Sequence, residues 1–146
     1  MLDAWFDLPY WVVDILPEQV PGGSRGQYFA VEQFYLQPTR MADLHRRFAD
    51  MLLKLNCYAD FAVYSTDEKA YGRNPSPERL FSLLCQEQAD LCIVLPDEHA
   101  MIAVNHDDTC MTVYHPSETL RHRIAQLAGA EGLFFWQPPD AKGNAL

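Results

Sequence analysis

Three short apolar runs lying close together constrain this chain more than anything else in it. Leu91 to Leu95 stops at Pro96, Ala100 to Val104 stops at Asn105, and a third run ends at His115. Each is too short for a packed helix and is bounded by turn-forming residues. The segment from Asp90 to Pro116 therefore predicts three antiparallel strands with two tight connections, a β-meander. The hydrophobic pattern also selects a register. A three-residue loop of His106, Asp107 and Asp108 would put Ile102 and Val104 on the face opposite Met111 and Val113. A two-residue or four-residue loop gathers all of them on one face, and a one-residue slip would turn every side chain over, so the even loop is expected.

The rest of the chain supplies what packs on that meander. Tyr10 to Leu16 and Gln27 to Leu36 are rich in aromatic and β-branched residues and predict two further strands around the loop Pro17 to Gly26. Met41, Leu44, Phe48, Met51, Leu52 and Leu55 then recur at helical spacing, with Thr39 as the expected N-cap. Asp43 with Arg47 and Asp50 with Lys54 form acid-to-base pairs at i,i+4 on its outer face. Phe61 to Ser65 predicts a strand and Thr66 to Pro75 a polar loop. Ser76-Pro77-Glu78 is a helix start, and Ser117 opens a third helix that ends at Gly129 or Gly132. Leu133 to Trp136 closes the pattern as a strand.

The expected order is ββαβαβββαβ. That is an α+β fold, a mainly antiparallel sheet of six to seven strands with three helices mostly on one face. Nothing divides residues 1–146, so one domain is expected, with an acidic aromatic lead-in over 1–9 and a frayed tail over 140–146. Trp5 and Phe6 of the lead-in are expected to be buried against the body.

The net charge is −9, and residues 77–116 carry seven acids against the single base Arg79. A nucleic-acid binder needs a basic patch to displace counterions, so nucleic acid is an unsuitable partner. No run approaches the ~20 apolar residues of a membrane helix, and the acidic N-terminus lacks the basic start of a signal peptide. Cys57, Cys85, Cys92 and Cys110 show no CxxC spacing. These features predict a cytoplasmic protein in a reducing setting, with no cofactor.

Four constellations carry chemical meaning. His99, His106 and His115 lie near Asp97, Glu98, Asp107 and Asp108, a donor set suited to zinc or iron. The favoured register scatters the three histidines, which argues against a metal. The cysteines lie late in a helix, within one, or in strands. None has the setting that lowers a thiol pKa, and no nucleophile, phosphate-loop or zinc-protease motif occurs. Asp14 and Glu32 each interrupt an apolar stretch expected to be a strand. On neighbouring strands they could approach as an acid–base pair in a tyrosine-lined pocket, or they could face solvent or bond to Arg25 or a tyrosine. Finally, Tyr28, Tyr35 and Tyr114, with Asp97, Glu98, Asp107 and Asp108, would make an aromatic and acidic contact face.

The expected function is therefore protein binding rather than catalysis. The partner would be basic, as for an inhibitor or immunity-type protein. A ligand-binding or hydrolase-like enzyme using Asp14 and Glu32 is the first alternative, and a homodimer pairing the same face with itself is the second.

Overall fold

The computed structural model describes residues 2–23 and 26–142. Its strands are β1 (Tyr10–Asp14), β2 (Ala62–Ser65), β3 (Ala70–Arg73), β4 (Leu91–Leu95), β5 (Ala100–Val104), β6 (Cys110–Tyr114) and β7 (Phe134–Trp136). They form one antiparallel sheet in the order β3-β2-β4-β5-β6-β1-β7. The helices are α1 (Tyr28–Tyr35), α2 (Pro38–Asn56), α3 (Pro77–Phe81) and α4 (Glu118–Ala130), and α3 runs on into a π-helical turn over Ser82–Gln86. The fold is α+β, as the sequence pattern requires.

The meander adopts the register that gathers its apolar residues. Ile93 pairs with Ile102, Ile102 with Val113, and Val104 with Met111, leaving four residues between the last pair's ladder neighbours. Directly opposed residues share a face. Leu91, Ile93, Leu95, Ala100, Ile102, Val104, Met111 and Val113 thus form one buried surface, joined by Val13 and Val63. Onto it pack Leu44, Phe48, Met51, Leu52 and Leu55 of α2, Leu80 and Leu83 beyond the Ser76 cap, and Leu120 and Ile124 beyond the Ser117 cap.

The opposite face is partly covered by the chain's own lead-in. Residues Leu2–Asp7 form a 3-10 helix that sets Leu2 and Trp5 over Cys92, Met101, Tyr64 and Tyr114. Phe6, expected to be buried, is 46% exposed and meets Tyr114 edge-on, with ring centroids 5.3 Å apart. At the other terminus, the tail expected to fray from residue 140 is held at Ala141. Ala141 is buried, and its carbonyl accepts a hydrogen bond from the Tyr10 amide at 2.8 Å. Residues 143–146 of that tail, and Arg25, lie outside the described residues.

Two elements differ from the expected order. The strand expected over Gln27 to Leu36 is helix α1, and the polar loop Thr66 to Pro75 contains β3. β1 already pairs with β6 on one side and β7 on the other, so no ladder position remains beside β1 for residues 27–36. Without one they satisfy their backbone groups internally, as a helix. β3 closes a hairpin with β2, held where the Ser65 hydroxyl accepts from the amides of Asp67 and Lys69. α2 also begins two residues earlier than expected, with Gln37 as N-cap and Pro38 at the first helical position. Asp43 bonds Arg47 at 2.9 Å as expected. Asp50 instead meets Arg46, and Lys54 crosses to Glu131 at 2.7 Å. Arg47 bonds the Glu131 carbonyl, and Gly132 (φ +75°) follows where any Cβ would stand 2.7 Å from the Arg47 guanidinium.

Candidate functional site

The feature without a structural explanation is α1. Six of its eight residues, Tyr28, Phe29, Ala30, Val31, Phe34 and Tyr35, are apolar or aromatic, yet none of the eight is buried. Phe29 is 77% exposed, Phe34 49%, Val31 42% and Tyr28 39%. A helix apolar on every side normally lies inside a protein. This one stands off the body, beyond the Asp14 end of β1. It is stiffened by its own contacts: Tyr28 on Phe29 (5.4 Å), Phe34 on Tyr35 (5.6 Å), and the Tyr28 hydroxyl donating to the Glu32 carboxylate at 3.0 Å. Arg40 of α2 lies 4.6 Å from the centre of the Phe34 ring.

Two clefts flank this helix, and Asp14 is a wall of both. One, of about 410 Å³, lies between Tyr28 and Phe29, the connecting loop at Glu18 and Pro21, and Trp136 of β7. The other, of about 390 Å³, is lined by Tyr28, Glu32, Asp107, Asp108 and Cys110. The second contains four carboxylates, Asp14 included, and no lysine or arginine among its described lining residues.

Asp14 stands at the end of β1 between Cys110 and Phe134 of the neighbouring strands. One of its carboxylate oxygens accepts from the Ile15 amide at 2.7 Å. Burial raises its pKa above the ordinary value, the backbone bonds to Ile15 and Leu16 oppose that, and Glu32 raises it further. The Trp136 indole N–H exerts a small lowering pull on Asp14 but is not in hydrogen-bonding geometry with it or with any other described residue. A carboxyl in this position can hold its proton to higher pH than a solvated one. Asp14 and Glu32 do approach each other, as the sequence suggested, but across the opening between a strand end and a helix rather than within a ladder.

The Cys110 thiol is pushed up to about 12 by burial, with Asp14, Asp108 and Glu32 adding to the shift. At neutral pH it is a thiol, not a nucleophile. Burial likewise raises Cys85 and Cys92.

The remaining residues of the expected contact face are split between two ends of the sheet. The β4–β5 and β5–β6 connections stand at opposite ends of β5, as hairpin geometry demands. Asp107 and Asp108 therefore join Tyr28 and Glu32, whereas Asp97 and Glu98 line a shallow cleft with Cys57 and Asp60 at the far end. Tyr114 lies on the sheet face under Phe6 and beside its cross-strand partner Tyr10, and Tyr35 is half-buried at the C-terminal end of α1.

The histidines are separated in the same way. His106 sits in the β5–β6 turn with its Nδ1 at 2.7 Å from Asp90, while its carbonyl meets Nε2 of the buried His45 at 2.7 Å. His115 donates from Nδ1 to the His99 carbonyl at 2.8 Å, at the other end. Among the described residues, no group of three or more histidine, cysteine, aspartate or glutamate side chains is placed to hold a metal ion. No helix among them is long and apolar enough to cross a membrane.

The strand expected over Gln27 to Leu36 conceals Phe29, Val31 and Phe34, because aromatic and β-branched residues suit a strand face. Trp136 falls at the end of the expected strand Leu133 to Trp136, which carries no site signal of its own. The sequence signal that bears on residues 27–36 is the glycine-bearing loop Pro17 to Gly26 ahead of them, which is long enough to let the chain leave the first strand. Comparison with protein-family models, with curated proteins and with solved structures returned no match.

Proposed function

We propose that this protein is a binding module for a basic protein, and that α1 with its flanking acidic clefts is the contact surface. The observation that carries the reading is the helix itself: six apolar residues of eight, none buried. Monomers rarely leave so continuous an aromatic patch open unless something binds it. Tyrosine and phenylalanine also supply interface area at little entropic cost.

Charge selects the partner. The patch is bordered by Asp14, Glu32, Asp107 and Asp108, within a chain of net charge −9. A cationic surface would be steered toward it. A second copy of the chain is disfavoured by the same residues, because a two-fold contact through α1 would set these four carboxylates against their own duplicates. An inhibitor or immunity-type protein directed at a basic enzyme is the form of this function that the charge suits. Four free cysteines without a disulfide are consistent with a reducing, cytoplasmic setting.

One observation favours acid–base chemistry as a second reading, the raised Asp14 carboxyl beside Glu32. It ranks second because no histidine lines either cleft among the described residues and the neighbouring thiol is protonated. Turnover of a small ester or phosphate substrate that Asp14→Asn abolishes would promote it.

The primary reading is tested with the chain and a Val31→Ser, Phe34→Ser variant, offered to basic and acidic protein pools while association is followed against salt. Capture from the basic pool alone, slowing steeply with salt and lost in the variant, is the expected result. Equal capture by the variant, salt-independent association, or a solution mass of twice 16.7 kDa would overturn it.

A further inference from the structure

We propose that the cleft between the Glu18–Pro21 loop, the start of α1 and β7 takes a single arginine side chain of the basic partner, held between aromatic rings and two carboxylates. This assignment rests on the binding-module reading and adds the anchor by which the partner is recognised. The cleft is distinct from the neighbouring four-carboxylate cleft. Three rings line it, Tyr28, Phe29 and Trp136, together with the apolar Leu16, Val20 and Pro21, and its acids are Asp14 and Glu18. At about 410 Å³ it falls within the range of about 300–1,000 Å³ of small-ligand sites. That is room for one long side chain, not for a helix or strand.

The chemistry of the walls selects the occupant. Rings attract a cation over their faces, and carboxylates accept its N–H groups. Guanidinium satisfies both at once, since it is planar, weakly hydrated and presents a fork of donors, whereas an ammonium is a compact and strongly hydrated charge. The chain already stacks guanidinium on aromatic rings elsewhere. Arg123 lies 3.7 Å from the Tyr58 ring centre, Arg40 4.6 Å from Phe34, and Arg121 4.8 Å from Trp11. Among the described residues no cation stacks on Tyr28, Phe29 or Trp136. The burial that raises Asp14 fits the same picture: a cation drawn into the cleft favours the ionised carboxylate and so sheds a proton from it. The adjoining aromatic ridge fixes the source of the guanidinium as a protein, because a free small cation would leave α1 uncovered.

The test uses the intact chain labelled with nitrogen-15, following the Trp136 indole N–H while N-acetyl-arginine methylamide is added. The lysine and citrulline analogues are run in parallel. Citrulline keeps the shape and loses the charge. The expected result is a saturable shift of the Trp136 resonance with arginine, a weaker one with lysine and none with citrulline. Phe29 and Glu18 are exposed, so Phe29→Ala and Glu18→Gln should fold normally, and each should weaken arginine binding by roughly two- to five-fold.

An equal response to citrulline, or arginine shifts confined to Asp107 and Asp108, would overturn the assignment. Silence toward arginine, in a chain whose capture of basic proteins is still lost on Val31→Ser, Phe34→Ser, would overturn this inference and leave the binding-module reading standing. The reverse pattern, arginine binding with no dependence on the ridge, would overturn that reading and leave the cleft.

Discussion

Replacing Phe29 with alanine separates a contact residue from a core residue. A phenylalanine offers about 200 Å² to be buried. With 77% of Phe29 still exposed, only about 50 Å² has left the water, worth ~1 kcal/mol at about 25 cal/mol per Å², an upper bound because the unfolded chain also buries surface. Alanine is the better helix former by about 0.5 kcal/mol, which offsets part of the loss. The net cost of Phe29→Ala is therefore about 0.5 kcal/mol. The control is Phe48, 2% exposed on the inner face of α2, where the same change should cost about 3–5 kcal/mol. Urea unfolding followed by circular dichroism measures both. A Phe29→Ala loss of about 3 kcal/mol or more would refute the reasoning, because it would mean that α1 is docked into the body.

Three further outcomes follow from the ionisable groups. Asp90 is desolvated, but the two bonds from His106 outweigh that and hold its carboxyl below the ordinary 3.8, while Asp90 holds His106 above 6.5. The Asp90 contribution to stability is present above 3.8 and lost as pH falls through its folded value. The His106 contribution is full below 6.5 and lost as pH rises through its folded value. With side chains 42% and 38% exposed, the pair adds only about 0.5 kcal/mol, so the wild type should exceed His106→Gln by that margin at mildly acidic pH and the gap should narrow on either side. Asp14 has the opposite sign to Asp90: its folded pKa is raised, so it stabilises the fold below 3.8 and that contribution is lost as pH rises through its folded value. Asp14→Asn should therefore match the wild type in acid and gain on it toward neutrality, and a growing deficit in the same unfolding series would count against the burial of this carboxyl. Iodoacetamide at neutral pH should label exposed Cys57 and spare Cys110, whose thiol lies at about 12, and peptide mass spectrometry showing Cys110 labelled first would contradict its buried setting.

The meander was legible because its physics is over-determined. Ile102, Val104, Met111 and Val113 reach one face only with an even loop, and that register is the one formed. Caps were legible where hydroxyl chemistry marked them, at Ser76 and Ser117. Residues 27–36 were not, because Tyr28, Phe29, Val31, Phe34 and Tyr35 suit a strand as well as a helix. What decides between the two is whether a neighbouring strand is free, which is a tertiary fact. β3 was not legible because Gly72 interrupts a four-residue segment set within a polar run, and pairing with β2 supplies what the segment lacks.

The site was legible in its members more than its shape. Asp14, Glu32, Tyr28, Asp107 and Asp108 belong together. Asp97 and Glu98 do not, and the alternation of hairpin ends already separates them. Trp136 could be placed only once β7 was seen to pair with β1.

The claim that α1 is a contact surface is tested most directly by covalent footprinting of Phe29 and Phe34, in the free chain and with a captured basic partner. Both rings stand in solvent in the free chain, so both should be modified readily there and protected in the complex. Protection already present in the free chain, or modification unchanged in the complex, would contradict the account.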